Sequence, residues 1–342
     1  MSVEEKIIEI EDEIRRTPLH KASEHHIGTL RGKLAKLRED LVKKSTKQKG
    51  SGYSLKKEGD ATVILVGFPS VGKSTIINQL TNADSQVGAY DFTTLNAVPG
   101  MLDYNDAKIQ IVDLPGIIDD ASKGKGRGRE VLSAARNANL IILVLEVGKE
   151  KKLEIIRKEL HGVGIRLDKK KPNVIIKKRI IGGIKIECPK SLSKNKLKSV
   201  LKGLGVVNAE IVIPNKISEG ELIDSVLGNR HYCPSIIVIN KSEDFVVKNF
   251  LGISGKTGKG LNDLKELIWD KLGLIRIYTK KPGKPVDDEP LIIKKPVTPA
   301  LVLKSLRIVA SYSKVWGESV KHDGQRVNKN HLLKDKDIIS FH

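Results

Sequence analysis

Nine consecutive residues, Gly67 to Thr75 (GFPSVGKST), leave the surrounding chain the fewest ways to fold. Gly67, a gap of four, then Gly72, Lys73 and Ser74 is the spacing of a phosphate-cradling P-loop, which works when a strand delivers it and a helix leaves it. Both flanks comply. ATVILVG is a short, β-branched apolar run, and STIINQLTNA has helical spacing, so the order is strand, loop, helix. The glycines let successive backbone N–H groups converge on a β-phosphate, Lys73 brings a point charge to the β- and γ-phosphates, and the Ser74 hydroxyl is placed to ligate Mg²⁺. A nucleoside triphosphate is the expected ligand. Gly67, Pro69, Ser70, Val71, Gly72, Lys73, Ser74 and Thr75 are its first candidate contacts.

The 342 residues exceed a usual single domain, so two to four domains are expected. A net charge of +20 with only 4% aromatic residues favours a polyanion held through its phosphates rather than by stacking, and RNA or a ribosomal surface fits best. Cys188 and Cys233 are far apart and each precedes a proline, which argues against both a disulfide framework and a cysteine-rich zinc site. No window approaches the roughly 18 apolar residues needed to cross a bilayer, and MSVEEKIIEIEDE is too acidic for a signal peptide. A cytoplasmic protein with no membrane partner is expected.

Residues 3–16 and 19–44 read as a helical hairpin, with apolar stripes Ile7, Ile10, Ile14 and Ile27, Leu30, Leu34, Leu37, Leu41, broken at Thr17-Pro18. His25 and His26 stand side by side there, and their divergence around the helix makes them a solvated pair rather than a metal site. Residues 43–60 form a basic connector. Strands then alternate with helices: 62–66, a helix to about 81, strands near 98–103, 108–112 and 141–147, and a helix near 150–161. The pattern resumes with SIIVINKSE at 235–243, LGISGK at 251–256 and an amphipathic helix at 260–272, so 163–230 reads as an insertion into a wound parallel sheet. Residues 166–202 hold thirteen lysines and arginines against Asp168 and Glu187, more than half the net charge, as a nucleic-acid surface would. Beyond 273, the β-like runs LIRIYT, PLIIKK, RIVAS and DIISFH surround a helix at 298–306, a small mixed module.

The other loops narrow the chemistry. Asp113 ends the strand KIQIV and begins DLPG, where a carboxylate can hold Mg²⁺ through a water and the Gly116 N–H can meet a γ-phosphate. Asn240, Lys241 and Glu243 follow the strand SIIVI; a carboxylate there accepts from guanine N1 and N2 while the lysine stem covers the base. Ser254, Gly255 and Lys256 are placed to bring an N–H to guanine O6. Thr93 and Thr94 lie in AYDFTTLNAV, a polar segment suited to a first switch, and Thr94 is the favoured γ-phosphate sensor and metal ligand. IIDDASKGKGRGRE, with Gly124, Gly126 and Gly128 among basic residues, is the expected second switch. Lys73, Thr94 and Gly116 are thus the candidate catalytic residues, and Ser74, Thr94 and Asp113 the candidate metal ligands.

In this order GFPSVGKST, YDFTTL, DLPGI, NKSE and SGK resemble the Obg-related GTPases. ELHGVGIRLDKKKPNVIIKK, GKGRGRE and VWGESVKHDGQRV resemble one branch, the developmentally regulated GTP-binding (DRG) family, over nearly the whole chain. The resemblance implies an α/β fold with an N-terminal helical region (1–58), a P-loop GTPase domain (59–162 and 231–272), an inserted α+β domain (163–230) and a C-terminal TGS module of β-grasp type (273–342). It implies a GTPase using Mg²⁺, ribosome association and a role in translation; a nucleotide-gated RNA-binding module with negligible turnover is the alternative, and a regulatory protein partner is left open. Two departures bear on mechanism. Glu243 stands where the family usually has aspartate, one methylene shorter. Ile117 follows Gly116 where many small GTPases have a glutamine that orients the attacking water, which an aliphatic chain cannot do. Relatives that use potassium as an extra positive charge have an asparagine where this chain has Ser70, which leaves a K⁺ site open.

Overall fold

The computed structural model describes residues 2–18, 20, 23–47, 59–81, 99–113, 135–242, 244, 246–247 and 250–342. They fall into two compact units, one drawn from Met1–Ser54, Gly124–Arg136 and Arg157–Cys233, the other from Leu55–Lys123, Asn137–Ile156 and Pro234–His342.

The first unit begins with helices α1 (Val3–Arg16) and α2 (Glu24–Lys47). Ser2 and Glu5 close a capping box on α1, satisfying two N–H groups that a helix start leaves free. The turn at Thr17-Pro18 is held by the Ser23 hydroxyl donating to Pro18 O at 2.5 Å, so α2 starts at Glu24 rather than at 19. Arg38 pairs with Glu11 at 2.6 Å and His26 with Glu13 at 2.7 Å across the hairpin. No α1 residue is fully buried, so this hairpin depends on a further surface.

That surface belongs to the insertion. Its three-stranded sheet, ordered β6 (Ile175–Lys178), β8 (Ala209–Val212), β7 (Ile184–Glu187), carries two helices, Lys194–Gly203 and Glu219–Leu227. Ile186, Ala209 and Ile211 from the sheet close a core with Leu197, Val200 and Leu201 from the first helix. The other side of that helix receives α2. A Cβ on Gly32 would stand 2.5 Å from Val200 O, and one on Gly203 would strike Thr29 O, so paired glycines set this close approach. A buried charge network adds to it: Arg166 grips Asp224 through Nε (2.5 Å) and Nη2 (2.6 Å), and Arg230 bridges Asp224 (2.8 Å) to Glu39 of α2 (2.9 Å). Burial raises the Asp224 pKa, but the Arg166 and Arg230 bonds outweigh it and hold the carboxyl below its ordinary range. The helical hairpin is therefore built into the insertion's core.

The second unit centres on a seven-stranded sheet in the order β11-β12-β10-β4-β1-β3-β2, in which β12 is Phe250–Gly252. β1 (Ala61–Gly67) pairs in parallel with β3 (Ala107–Asp113) and β4 (Leu140–Glu146), and β4 with β10 (Ser235–Asn240). Only the edges, β2 (Pro99–Tyr104) and β11 (Val246–Val247), run antiparallel. β1 is buried along its entire length, as a central parallel strand covered on both faces must be.

Residues 274–341 form a separate sheet, β14-β13-β17-β15-β16, in which β13 (Leu274–Lys280) is antiparallel to β14 (Leu291–Lys294) and parallel to β17 (Asp337–Phe341), β15 (Ser313–Trp316) and β16 (Gln325–Val327) complete it, and the helix Pro299–Leu306 packs on it. Five strands and one helix make this the small mixed module that the sequence pattern suggests. One expected strand is absent: RIVAS is a turn. Arg307 caps the helix in the left-handed region (φ 57°), Val309 is fully exposed, and the strand begins at Ser313 instead.

Candidate nucleotide site

Parallel strands bring their C-terminal ends to one edge, where loops and helix N-termini converge. Gly67, Asp113 and Asn240 are the last residues of β1, β3 and β10, and Glu146 the last of β4. At Gly67 a Cβ would lie 2.5 Å from Val144 O, so the loop can leave the strand here only as glycine. Ser70 (φ 61°) and Gly72 (φ 90°) take left-handed conformations. The helix Lys73–Leu80 starts from Gly72 with no side-chain cap, which leaves first-turn N–H groups to an anion.

Lys73 is buried. Its Nζ donates to Gly67 O (3.2 Å) and Phe68 O (3.3 Å) and lies 3.9 Å from Asp113 Oδ1. Burial pushes its pKa down, against the pull of Asp113. Ser74 Oγ donates to Asp113 Oδ2 at 2.8 Å. Asp113 Oδ1 is buried with no hydrogen-bond partner, which no other buried side-chain oxygen or nitrogen among the described residues matches. A desolvated carboxylate oxygen of this kind calls for a cation or a cation's water, and the hard oxygens of Ser74 and Asp113 are the donor type Mg²⁺ prefers.

At the other end, Asn240 is 3% exposed and ties two loops together. Its Nδ2 donates to Val71 O at 2.7 Å and its Oδ1 accepts from Gly255 N at 3.0 Å. Gly72 completes the fit, since a Cβ there would strike Asn240 Nδ2. Lys241 takes a left-handed conformation (φ 61°) and its Nζ pairs with Glu146 at 2.7 Å. Glu146 is pushed down to about 2 by its bonds to Lys149 and Lys241. Ser254 N donates to Lys259 O and Ser254 Oγ accepts from Thr257 N, which makes a tight turn with Ser254 and Gly255 buried and Lys256 exposed. Pro69 and Thr75 are exposed on the loop and the helix.

The structure thus gathers Gly67, Ser70, Val71, Gly72, Lys73, Ser74, Asp113, Asn240, Lys241, Ser254 and Gly255 at one end of the sheet. Thr93, Thr94, Gly116, Ile117 and Glu243 lie outside the described residues. Glu146 was missed by the reading of the sequence, although it is the only charged residue in the strand LIILVLE. The tying role of Asn240 was missed as well.

Residues 62–178 match the MMR_HSR1 family model, described as 50S ribosome-binding GTPase, and residues 181–274 match the model for the C-terminal region of that domain. The chain is 46% identical to an uncharacterized GTP-binding protein of Methanocaldococcus jannaschii, over 100% of this chain and 93% of that one. It is 43% identical to developmentally-regulated GTP-binding protein 1 of Xenopus laevis, over 98% of both. Among solved structures, the YchF GTPase of Schizosaccharomyces pombe aligns with 85% of this chain and 100% of its own, at a TM-score of 0.44 and 14% identity.

Proposed function

The chain belongs to the developmentally regulated GTP-binding proteins, and from that premise we propose that it slowly hydrolyses GTP to GDP and phosphate with Mg²⁺, and that the bound nucleotide governs its contact with the ribosome or RNA in the cytoplasm. The observation that supports the hydrolytic reading is the buried Asp113 Oδ1, without a hydrogen bond, beside Ser74 and 3.9 Å from Lys73. Mg²⁺, when bound, supplies positive charge to the β- and γ-phosphate oxygens. Ser74 and Asp113 hold it, with Thr94 as the third ligand. Lys73 exchanges its bonds to Gly67 O and Phe68 O for phosphate oxygens, and the free N–H groups of the first helical turn meet the β-phosphate. Lys241 lays its stem along the guanine, steadied by Glu146, while Glu243 accepts from the base. With Ile117 unable to orient water, the backbone or a partner performs that task, and turnover is slow.

The surplus of positive charge in the insertion and the ribosome-binding description of the matching family support the ribosome as partner, reached through residues 163–230 and the module at 273–342. Lys73→Ala and Ser74→Ala test the chemistry: each is expected to lower GTP turnover at least a hundredfold, measured as phosphate release, with an unchanged circular dichroism spectrum. Ser74→Thr, which keeps the hydroxyl, is expected to retain activity. Unchanged hydrolysis in both alanine variants would end the assignment. Added K⁺ against Na⁺ in the same assay tests whether potassium contributes beside Ser70.

A further inference from the structure

The inserted sheet has one covered face and one open face. Strands β6 and β7 flank β8 from opposite sides, so the connection between them, Arg179–Gly183, must cross the end of β8. Asn208 pins this crossing. Its Nδ2 donates to Ile180 O (2.7 Å), its Oδ1 accepts from Gly183 N (2.8 Å), and its backbone O accepts from Arg179 N (3.1 Å). Gly182 (φ 106°) and Gly183 (φ 69°) supply the left-handed turns that the crossing needs.

What this braced loop presents is apolar. Ile180 is 93% exposed, Ile181 82% and the neighbouring Val207 72%. Single exposed aliphatic residues need no explanation, but two in succession on a hydrogen-bonded loop, with a third next to the Asn208 that pins it, form a braced apolar tip. Exposed cations surround it: Lys177 and Lys185 lie in register on either side of Glu210 on the open face, and Lys178 and Arg179 lead into the loop. Glu210 is already paired with Arg179 at 2.8 Å.

The chemistry of this tip discriminates between partners. Base stacking calls for a ring or a free guanidinium plane, and the loop has no ring while its one guanidinium is engaged by Glu210. Aliphatic groups gain nothing from phosphates, whereas an apolar socket on a protein removes them from water, and carboxylates around such a socket complement the lysine rim. Resting on the ribosome reading above, we propose that Ile180, Ile181 and Val207 are the docking tip for a protein of the ribosomal surface, one that offers an apolar socket bordered by Asp or Glu. The insertion's remaining basic surface is left to RNA, and the tip selects the place.

The test uses the full chain with a non-hydrolysable GTP analogue and purified ribosomes, carrying a photocrosslinking benzoylphenylalanine at position 180. The expected result is a nuclease-resistant crosslink to a ribosomal protein, mapping to apolar residues beside carboxylates. The I180S/I181S double variant is expected to bind GTP normally and to bind ribosomes roughly tenfold or more weakly, the scale of losing a buried anchor. A crosslink to ribosomal RNA, no crosslink from a chain that still pellets with ribosomes, or unimpaired binding by I180S/I181S would overturn this inference and leave the ribosome reading standing. Failure of the unsubstituted chain to pellet with ribosomes would overturn both.

Discussion

Asn240→Ala is the most informative single substitution, because the structure assigns Asn240 a load that its place in a base-reading motif does not suggest. The side chain joins the P-loop to the 254–256 turn through two bonds, Nδ2 to Val71 O at 2.7 Å and Gly255 N to Oδ1 at 3.0 Å. Alanine removes both and strands a buried carbonyl and a buried N–H, at roughly 1–3 kcal/mol per group. A water entering the space left by the amide recovers part of this, so the net cost is about 2–4 kcal/mol. The penalty falls on loops that enclose the nucleotide, and at about 1.4 kcal/mol per decade it corresponds to a loss of GTP affinity between about 30-fold and about 1,000-fold. Titration with a fluorescent GTP analogue measures it, and thermal denaturation of the same variant shows whether the sheet survives. The loss should extend to GDP, because the tie holds the loop around the β-phosphate, whereas loss of a base contact alone leaves that loop in place. Asn240→Asp should fail as well, since it sets a carboxylate oxygen against Val71 O. Binding within threefold of the parent, with an unaltered melting temperature, would refute the reasoning.

Three further outcomes are expected. Asp224→Asn leaves Arg166 buried without its counter-charge and Arg230 with Glu39 alone, and should destabilise the first unit by about 3–5 kcal/mol, read by urea denaturation. The same pair reports on pH: the folded Asp224 pKa is depressed, so its contribution is fully present above the ordinary aspartate value of 3.8 and is lost as pH falls through the lower folded value. Melting temperatures of parent and Asp224→Asn should therefore differ by a constant amount above about pH 5 and converge in stronger acid; a gap that widens on acidification would contradict the assignment. In competition for the nucleotide site, GTP should displace the fluorescent analogue at far lower concentration than ATP, and equal potency would remove Glu243 and Lys241 as guanine readers.

Local chemistry was legible where one segment carries the whole requirement. The P-loop, the buried strand before it and the ends of β3 and β10 could be read because glycine spacing and apolar runs are properties of consecutive residues. What was not legible depended on distant parts of the chain. Gly32 and Gly203 look like weak points in two helices, yet each is where the other helix's backbone approaches. Arg166 counted as one more positive charge in a basic stretch, although it is buried against Asp224, 58 residues away. RIVAS has the composition of a strand, but strand identity needs a partner. Arg307 turns the chain left-handed at its start, and pairing with β17 begins only at Ser313.

The arrangement around Ser74 explains why a short hydroxyl side chain suits this position. Its single hydrogen is committed to Asp113 Oδ2, so its lone pairs are directed away from that carboxylate and are free to face a cation. The two roles are compatible because donation uses the hydrogen and ligation uses a lone pair. Asp113, for its part, has one oxygen occupied by Ser74 and one with no donor, a division that orients the carboxylate while keeping half of its accepting capacity in reserve. Lys73 lies too far from that second oxygen, at 3.9 Å, to donate to it, and its amine is held by two backbone carbonyls instead. Those carbonyls are neutral acceptors, so a charged oxygen would attract the buried ammonium more strongly than they do. On the proposed function, a triphosphate would offer Lys73 charged acceptors and Mg²⁺ would offer Asp113 Oδ1 a partner, so nucleotide and metal would each relieve a different buried group. On that reading the binding of the two should be mutually reinforcing.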